Sequence, residues 1–376
     1  MDKVNAQRIL IVTASVGSGH EKAAAAVAEA IRQQKPEAEI NIVDFMSART
    51  SIINALMKNC YLNMLHFVPN LYEFMYQFTA GKRKGGIVKW AMSSVIVYSI
   101  KKLIKSYQPD IIICTHPFPA DAVSHLSEKR RRSFHSYAII TDYSVHQMWI
   151  CPNMDTYFVA IESMKEQLVE AGINENIIHV SGIPVGKEFS VERSKIICRR
   201  ELGLKEDLPV VLLMGGGLGL GGMDMAMQQL ERINDKIQLL IIAGKNNELK
   251  RNVELMAAHS HHDVNVLGYT NKVAIMMSAA DILITKPGAL TLTEAMSLGT
   301  PMVLHEPIPG PETDNARFME DGGMAVWLHS GDSLAKIIGD LLRYPEGLNE
   351  MIANAGRHKK EDAAGTIAEY ILTNRQ

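Results

Sequence analysis

Arg8-Ile9-Leu10-Ile11-Val12-Thr13-Ala14-Ser15-Val16-Gly17-Ser18-Gly19-His20 is the stretch that sets the fold. Residues 8–14 form a continuous apolar run with β-branched members, the mark of a strand buried on both faces. Glycines at 17 and 19 let the chain turn sharply and bring backbone N–H groups close to a ligand. Residues 21–34 then place Ala24, Val27, Ala28 and Ile31 on one helical face, and Pro36 closes the helix. Strand, glycine turn and helix make the first unit of a parallel α/β sheet.

The same alternation continues outward. Residues 39–43, 110–115, 137–141 and 156–160 read as further strands separated by helical stretches. The pattern restarts at 210–214 and runs on through 238–243, 264–267, 281–285 and 302–304. The expected fold is α/β, with two Rossmann-like doubly wound domains, 1–185 and 186–376, facing each other across a cleft. The break falls near 182–190, where Gly, Pro and Gly interrupt the periodicity. The last helix is free to pack back on the first domain. Ligands of such sheets sit beyond the carboxyl ends of the strands.

Composition narrows the class. The chain has 376 residues, 47% hydrophobic and 21% charged, ordinary for a globular protein of two domains. Residues 1–7 are polar and lack the layout of a secretory signal, and no apolar run reaches the roughly eighteen residues of a spanning helix. Cys60, Cys114, Cys151 and Cys198 are scattered with no CxxC pair, which argues against structural zinc and a disulfide framework and fits a reducing cytoplasm. The net charge of −2 conceals a basic block. Between Asp44 and Asp110, Glu73 is the sole acid, against Arg49, Lys58, Lys82, Arg83, Lys84, Lys89, Lys101, Lys102 and Lys105. Aromatic residues from Tyr61 to Phe78 and an apolar stretch around Trp90 accompany these charges, a combination suited to an anionic membrane surface, or to one or two core helices with a solvated charged loop. The chain as a whole is not basic, so nucleic acid is not an expected partner.

Four motifs carry candidate chemistry. His20 follows the first glycine turn at the start of a helix, where an imidazole can take a proton from an attacking hydroxyl. A hydrogen-bonded structural histidine fits the spacing equally well. The run from Gly215 to Gly222 holds six glycines, among them Gly216 and Gly217, and suits a nest of amides for a diphosphate. It is neither a P-loop nor a good dinucleotide fingerprint. In Thr285-Lys286-Pro287-Gly288-Ala289-Leu290-Thr291-Leu292-Thr293-Glu294 a Pro-Gly turn leads into a helix whose Glu294 suits a ribose diol, or simply the helix dipole. Glu306-Pro307-Ile308-Pro309-Gly310-Pro311-Glu312-Thr313-Asp314-Asn315 is a stiffened loop that presents carboxylates and an amide, suited to sugar hydroxyls or to capping a helix.

Taken as an ordered set, these residues identify a resemblance. With Thr115-His116-Pro117, Thr141-Asp142-Tyr143, His146, Trp149, the turn at 181–185 and Ala243-Gly244-Lys245-Asn246, the chain resembles the processive diacylglycerol glucosyltransferases of Gram-positive bacteria and the plant monogalactosyldiacylglycerol synthases. More distantly it is similar to the transferase that adds N-acetylglucosamine to the peptidoglycan lipid precursor. The resemblance implies a GT-B fold and inverting transfer of a hexose, glucose favoured over galactose, from a UDP-sugar to diacylglycerol or a glycolipid. It implies no cofactor and no metal. The first domain is then the acceptor and membrane-docking half, with His20 as base and Asp142 as a second catalytic candidate. The second is the donor half. Its site takes in Gly215, Gly216 and Gly217 at the diphosphate, Glu294 at the ribose and Glu312 and Asn315 at the hexose. Gly19, Lys245, Asn246, Lys286, Gly288, Ala289, Leu290, Thr291, Pro309, Gly310 and Asp314 complete the donor-binding set. Lys82, Arg83, Lys84, Lys89 and Trp90 match the membrane-docking region by position and character. The resulting expectation is a cytoplasmic protein, peripheral on the inner face of the cell membrane. A GT-B transferase acting on a soluble small molecule is the alternative.

Overall fold

The computed structural model describes residues 6–15, 18–46, 86–127, 133–215, 222–305, 307 and 310–374, with side chains in the helix from Gly86 described from 96 onward. The chain divides into two compact units, one of Met1–Gly186 with Pro309–Pro311 and Asp362–Gln376, the other of Lys187–Ile308 with Glu312–Glu361.

In the first unit the described strands are β1 (Arg8–Thr13), β2 (Glu39–Asp44), β3 (Ile111–Cys114), β4 (His135–Ile139), β5 (Thr156–Val159) and β6 (Ile178–Val180). They lie in the order β2-β1-β3-β4-β5-β6, and every pairing is parallel. Ile9 and Ile11 point to the face covered by helix α1 (Gly19–Gln34), whose Ala24, Val27, Ala28 and Ile31 are fully buried. Helix α13 (Ala363–Thr373) closes the same layer, packing Ile367, Ala368 and Ile371 into that cluster. The end of the chain therefore completes the core that its beginning starts.

The second unit holds β7 (Val210–Met214), β8 (Gln238–Ile242), β9 (Asp263–Leu267), β10 (Ile282–Thr285), β11 (Met302–Leu304) and β12 (Ala325–Trp327), in the order β12-β11-β10-β7-β8-β9 and again parallel. Fully apolar strands such as β7 are buried at every residue, as sheets covered on both faces require.

Three details differ from the sequence expectation. The edge strands β6 and β12 each have only three residues and were not expected. Each pairs with one neighbour and is too short to stand out: His179 interrupts β6, and Val326 and Trp327 of β12 are only half-buried. Strand β4 begins two residues before the expected 137, because Ser136 is satisfied at the sheet's amino edge by the Asp155 carboxylate, 2.8 Å from its N–H.

Candidate active site

In the first unit the turn after β1 is anchored by Asp44 at the end of β2. Its carboxylate accepts from the Ser15 hydroxyl (2.6 Å), the Ser15 N–H (3.1 Å) and the Met46 N–H (2.9 Å). Beyond that turn, Gly19 and His20 are the first two residues of α1. His20 Nδ1 lies 2.8 Å from the carbonyl oxygen of Thr115 and 2.7 Å from the hydroxyl of Thr141. A carbonyl oxygen can only accept, so Nδ1 carries the hydrogen and Nε2 keeps its lone pair. The Thr115 hydroxyl donates back to the His20 carbonyl at 3.1 Å. Thr115 follows β3 and Thr141 lies just past β4, so two adjacent strands fix one ring at the carboxyl edge of the sheet. Burial lowers the His20 pKa to about 4, with the Thr115 bond opposing it, so the ring is neutral at pH 7. Asp142, partly buried, follows Thr141 at the same edge.

His116 stands beside this ring, edge-on, with ring centroids 4.7 Å apart. Its Nδ1 accepts the N–H of Phe118 at 3.2 Å in the first turn of helix α3 (Pro117–Ser127). Burial, with the neighbouring His20 as a smaller cause, pushes its pKa well below the ordinary value.

In the second unit the glycine run is described only at its ends. Gly215 follows β7, and Gly222 takes a left-handed φ of 57° as it enters helix α6 (Met223–Leu230). Gly216, Gly217 and Pro309, like Lys82, Arg83 and Lys84, lie outside the described residues, and so do the side chains of Lys89 and Trp90. Lys245 is exposed, its ammonium 5.4 Å from the centre of the Tyr269 ring. Asn246 caps helix α7 (Asn247–Ala257), its side chain accepting the Leu249 N–H at 2.9 Å.

The turn after β10 gathers most of the other donor candidates. Lys286 forms an ion pair with Glu312, the two side chains only 21% and 15% exposed. Gly288 lies against that pair: a Cβ there would stand 3.7 Å from the Lys286 ammonium and 3.8 Å from Glu312 Oε1. Asn315 is fully buried in helix α10 (Pro311–Asp321), and its amide donates to the Pro287 carbonyl at 3.2 Å. It therefore holds the 286–288 turn against the helix that supplies Glu312. Helix α9 (Ala289–Leu298) buries Ala289 and Leu290, leaves Thr291 partly exposed and places Glu294 at 1% exposure. Asp314 pairs with Arg317 at 3.4 Å, and Gly310 enters α10 with a left-handed φ of 110°.

The sequence reading did not single out His305. It follows β11, its N–H bonds to the Thr285 carbonyl at 3.1 Å, and its buried Nε2 has no hydrogen-bond partner among the described residues. Burial and the Lys286 charge lower its pKa to about 4, while Glu312 opposes them. Only packing reveals this residue, because a lone histidine before a proline-rich loop carries no spacing signal.

Among the described residues the one grouping with metal-ligand chemistry is Glu231, His261 and His262. It lies at the amino end of β9, opposite the strand ends that carry the other candidates. The two rings are already engaged: His261 Nδ1 by Glu231 (3.0 Å) and Nε2 by the Ile233 carbonyl (2.9 Å), His262 Nε2 by the Leu230 carbonyl (3.0 Å).

Residues 20–185 match the family model of monogalactosyldiacylglycerol (MGDG) synthase, and residues 210–367 that of the glycosyltransferase family 28 C-terminal domain. The chain is 28% identical to a processive diacylglycerol β-glucosyltransferase of Bacillus pumilus over 369 residues, 97% of this chain and 94% of the relative. It is also 28% identical to the enzyme of that name from Bacillus subtilis, covering 97% and 95%. Among solved structures, MurG of Acinetobacter baumannii superposes with a TM-score of 0.66 at 17% identity, covering 98% of this chain and all of the other, which supports the two-sheet GT-B fold.

Proposed function

We propose, for a chain that belongs to the MGDG synthase family in its first half and to the family 28 glycosyltransferase C-terminal domains in its second, that it transfers glucose from UDP-glucose to the hydroxyl of diacylglycerol. The soluble-acceptor alternative is not favoured, since the relatives that match over nearly the whole chain are named for diacylglycerol. The observation that carries the catalytic part is the fixed tautomer of His20, held by Thr115 with Nε2 bonded to none of the described residues.

In this reading the acceptor hydroxyl approaches the anomeric carbon from the side opposite UDP, and His20 Nε2 takes its proton as the new bond forms. The leaving diphosphate gathers negative charge. Backbone amides of the glycine run stabilise that charge, without a metal. The Lys286–Glu312 pair and Gly288 form one side of the sugar site, and Asn315 acts by holding their turn. Glu294 takes the ribose and Asp142 assists at the acceptor edge.

The protein works as a peripheral enzyme on the inner face of the cell membrane. No helix among the described residues is long and apolar enough to cross a membrane. Support for docking comes from helix α2 (Gly86–Tyr107), where Tyr98, Lys101, Lys102 and Lys105 share one exposed face, opposite buried Ile96 and Ile100. Tyr98 is 71% exposed, and none of the three lysines has an ion-pair partner among the described residues. An aromatic residue among unpaired lysines suits an anionic bilayer surface.

The deciding experiment supplies labelled UDP-glucose or UDP-galactose with diacylglycerol vesicles and identifies the lipid product. A glucosyl lipid is the expected result. Free sugar or an epimerised nucleotide with no labelled lipid overturns the proposal.

A further inference from the structure

We infer that His116 is an acceptor-binding residue, whose Nε2–H donates a hydrogen bond to an oxygen neighbouring the hydroxyl that attacks. This rests on the reading of His20 as the base at the acceptor site.

The two rings are held in opposite tautomers. His116 Nδ1 accepts the Phe118 N–H, so it carries no hydrogen of its own and the ring's proton sits on Nε2. His20 is fixed the other way: its Nδ1 carries the hydrogen, bonded to the Thr115 carbonyl, and Nε2 is an acceptor. Two rings with centroids 4.7 Å apart thus present complementary nitrogens, one accepting and one donating. Neither Nε2 bonds to any described residue. Both rings are held neutral by burial, so the pair keeps this polarity at pH 7.

A helix cap accounts for only half of this. Capping α3 uses His116 Nδ1, and asparagine, aspartate or serine does that at least as well. What histidine adds is a second polar atom on the far side of the ring, aimed away from the helix it caps. Phe45 and Phe118 flank the same ring, at centroid distances of 6.0 and 4.9 Å, so a bond made there is shielded from water and strengthened. The ligand that satisfies both nitrogens has a hydroxyl for His20 and a second oxygen one or two carbons away. A glycerol backbone with an adjacent ester has that arrangement. A simple long-chain alcohol does not.

The variant that separates the two roles is His116→Asn, which keeps an oxygen to accept the Phe118 N–H and removes the Nε2 donor. Glucosyl transfer is measured with diacylglycerol and with a long-chain primary alcohol, each in the same vesicles, alongside a thermal melt. Loss of a bond to an oxygen that is otherwise left unpaired corresponds to about a tenfold rise in acceptor KM. That rise is expected for diacylglycerol alone, with the melt, the KM for UDP-glucose and the rate with the alcohol unchanged. An unchanged diacylglycerol KM, or the same loss with both acceptors, overturns the inference while leaving the His20 reading intact. Wild-type protein that makes no glycolipid overturns both.

Discussion

His20 and Thr115 hold each other twice: the imidazole Nδ1–H donates to the Thr115 carbonyl at 2.8 Å, and the Thr115 hydroxyl donates to the His20 carbonyl at 3.1 Å. One residue after β3 thereby sets both the position of the helix start and the tautomer of its side chain. A ring held in this way loses no orientation freedom when the acceptor arrives, which is what a base needs.

Replacing His20 with Ala removes the base and leaves the second unit untouched. Turnover is expected to fall by ~10²–10⁴-fold, the usual contribution of a general base. UDP binding, followed by calorimetry, is expected to stay within about twofold, because uniform binding and proton transfer are separate terms. Equal turnover in the variant would remove His20 from the role.

The pH dependence has two components. His20 and His305 are both held at about 4 rather than 6.5, and His116 lies well below 6.5. An unfolded chain protonates these rings as the pH falls through 6.5, whereas the folded chain does not protonate His20 and His305 until about 4, nor His116 until well below 6.5. Between those values the unfolded state binds more protons, so stability drops as pH drops and is constant above that window as far as these groups go. The melting temperature is expected to decline steadily from pH 6.5 towards 4. Single-turnover rate, measured where the protein is still folded, is expected to stay flat down to about pH 5, since His20 remains neutral there. An acid limb centred at 6.5 in that rate argues against this ring as the base.

Gly288 offers a separation of folding from donor binding. It sits in an ordinary extended conformation, φ −71° and ψ 122°, so the backbone does not require glycine. A Cβ there meets Lys286 and Glu312 at 3.7 and 3.8 Å, ordinary contact distances. Gly288→Ala is therefore expected to melt like the parent. Its new methyl occupies the space beside the ion pair where the sugar is proposed to lie, so KM for UDP-glucose is expected to rise about tenfold or more. A normal KM places the donor elsewhere.

Much of this was legible in the sequence because central parallel strands leave an unmistakable pattern. Ile9 to Val12 and Ile111 to Cys114 are continuous apolar runs, and burial at every position follows from being covered on both faces. The same physics hides β6 and β12, since an edge strand of three residues has neither length nor uniformity. In the site, His20 was visible from a strand, a glycine turn and a helix start in order. Thr115 and Thr141 were visible only as parts of motifs, because what they do depends on two strands meeting side by side. Asn246 and Asn315 show the converse. Their motifs do not reveal the internal bonds these amides make: one caps α7, the other bonds Pro287. His305 left no trace in the pattern at all, as its environment comes from Lys286 and Glu312 on other elements.

The lysine face of α2 yields a binding prediction. Each basic residue near an anionic leaflet contributes about 1 kcal/mol, so replacing Lys101, Lys102 and Lys105 with Gln is expected to weaken vesicle binding by about two orders of magnitude. Sedimentation with phosphatidylserine vesicles measures this directly, and salt is expected to mimic the substitutions for the parent protein. Binding that ignores both salt and the triple substitution would assign docking to apolar contact alone.

The last helix tests whether the first unit is closed by its own far end. Ile367, Ala368 and Ile371 are fully buried in the same core cluster as Val27 and Ile31 of α1. Ile371→Ala leaves a cavity in that layer and is expected to cost about 2–5 kcal/mol, the range for truncating a buried aliphatic side chain. Deleting the chain from Asp362 onward strips the whole apolar face of α1 on that side. The first unit is then expected to lose cooperative unfolding, and glucosyl transfer with it, because His20 stands at the start of the helix that α13 covers. The second unit contributes none of those residues to its own core, built around Val211, Leu239 and Ile284. It should still unfold cooperatively in the truncated protein and still bind UDP. Retention of full transfer activity without α13 would show that α1 is held in place by the sheet alone.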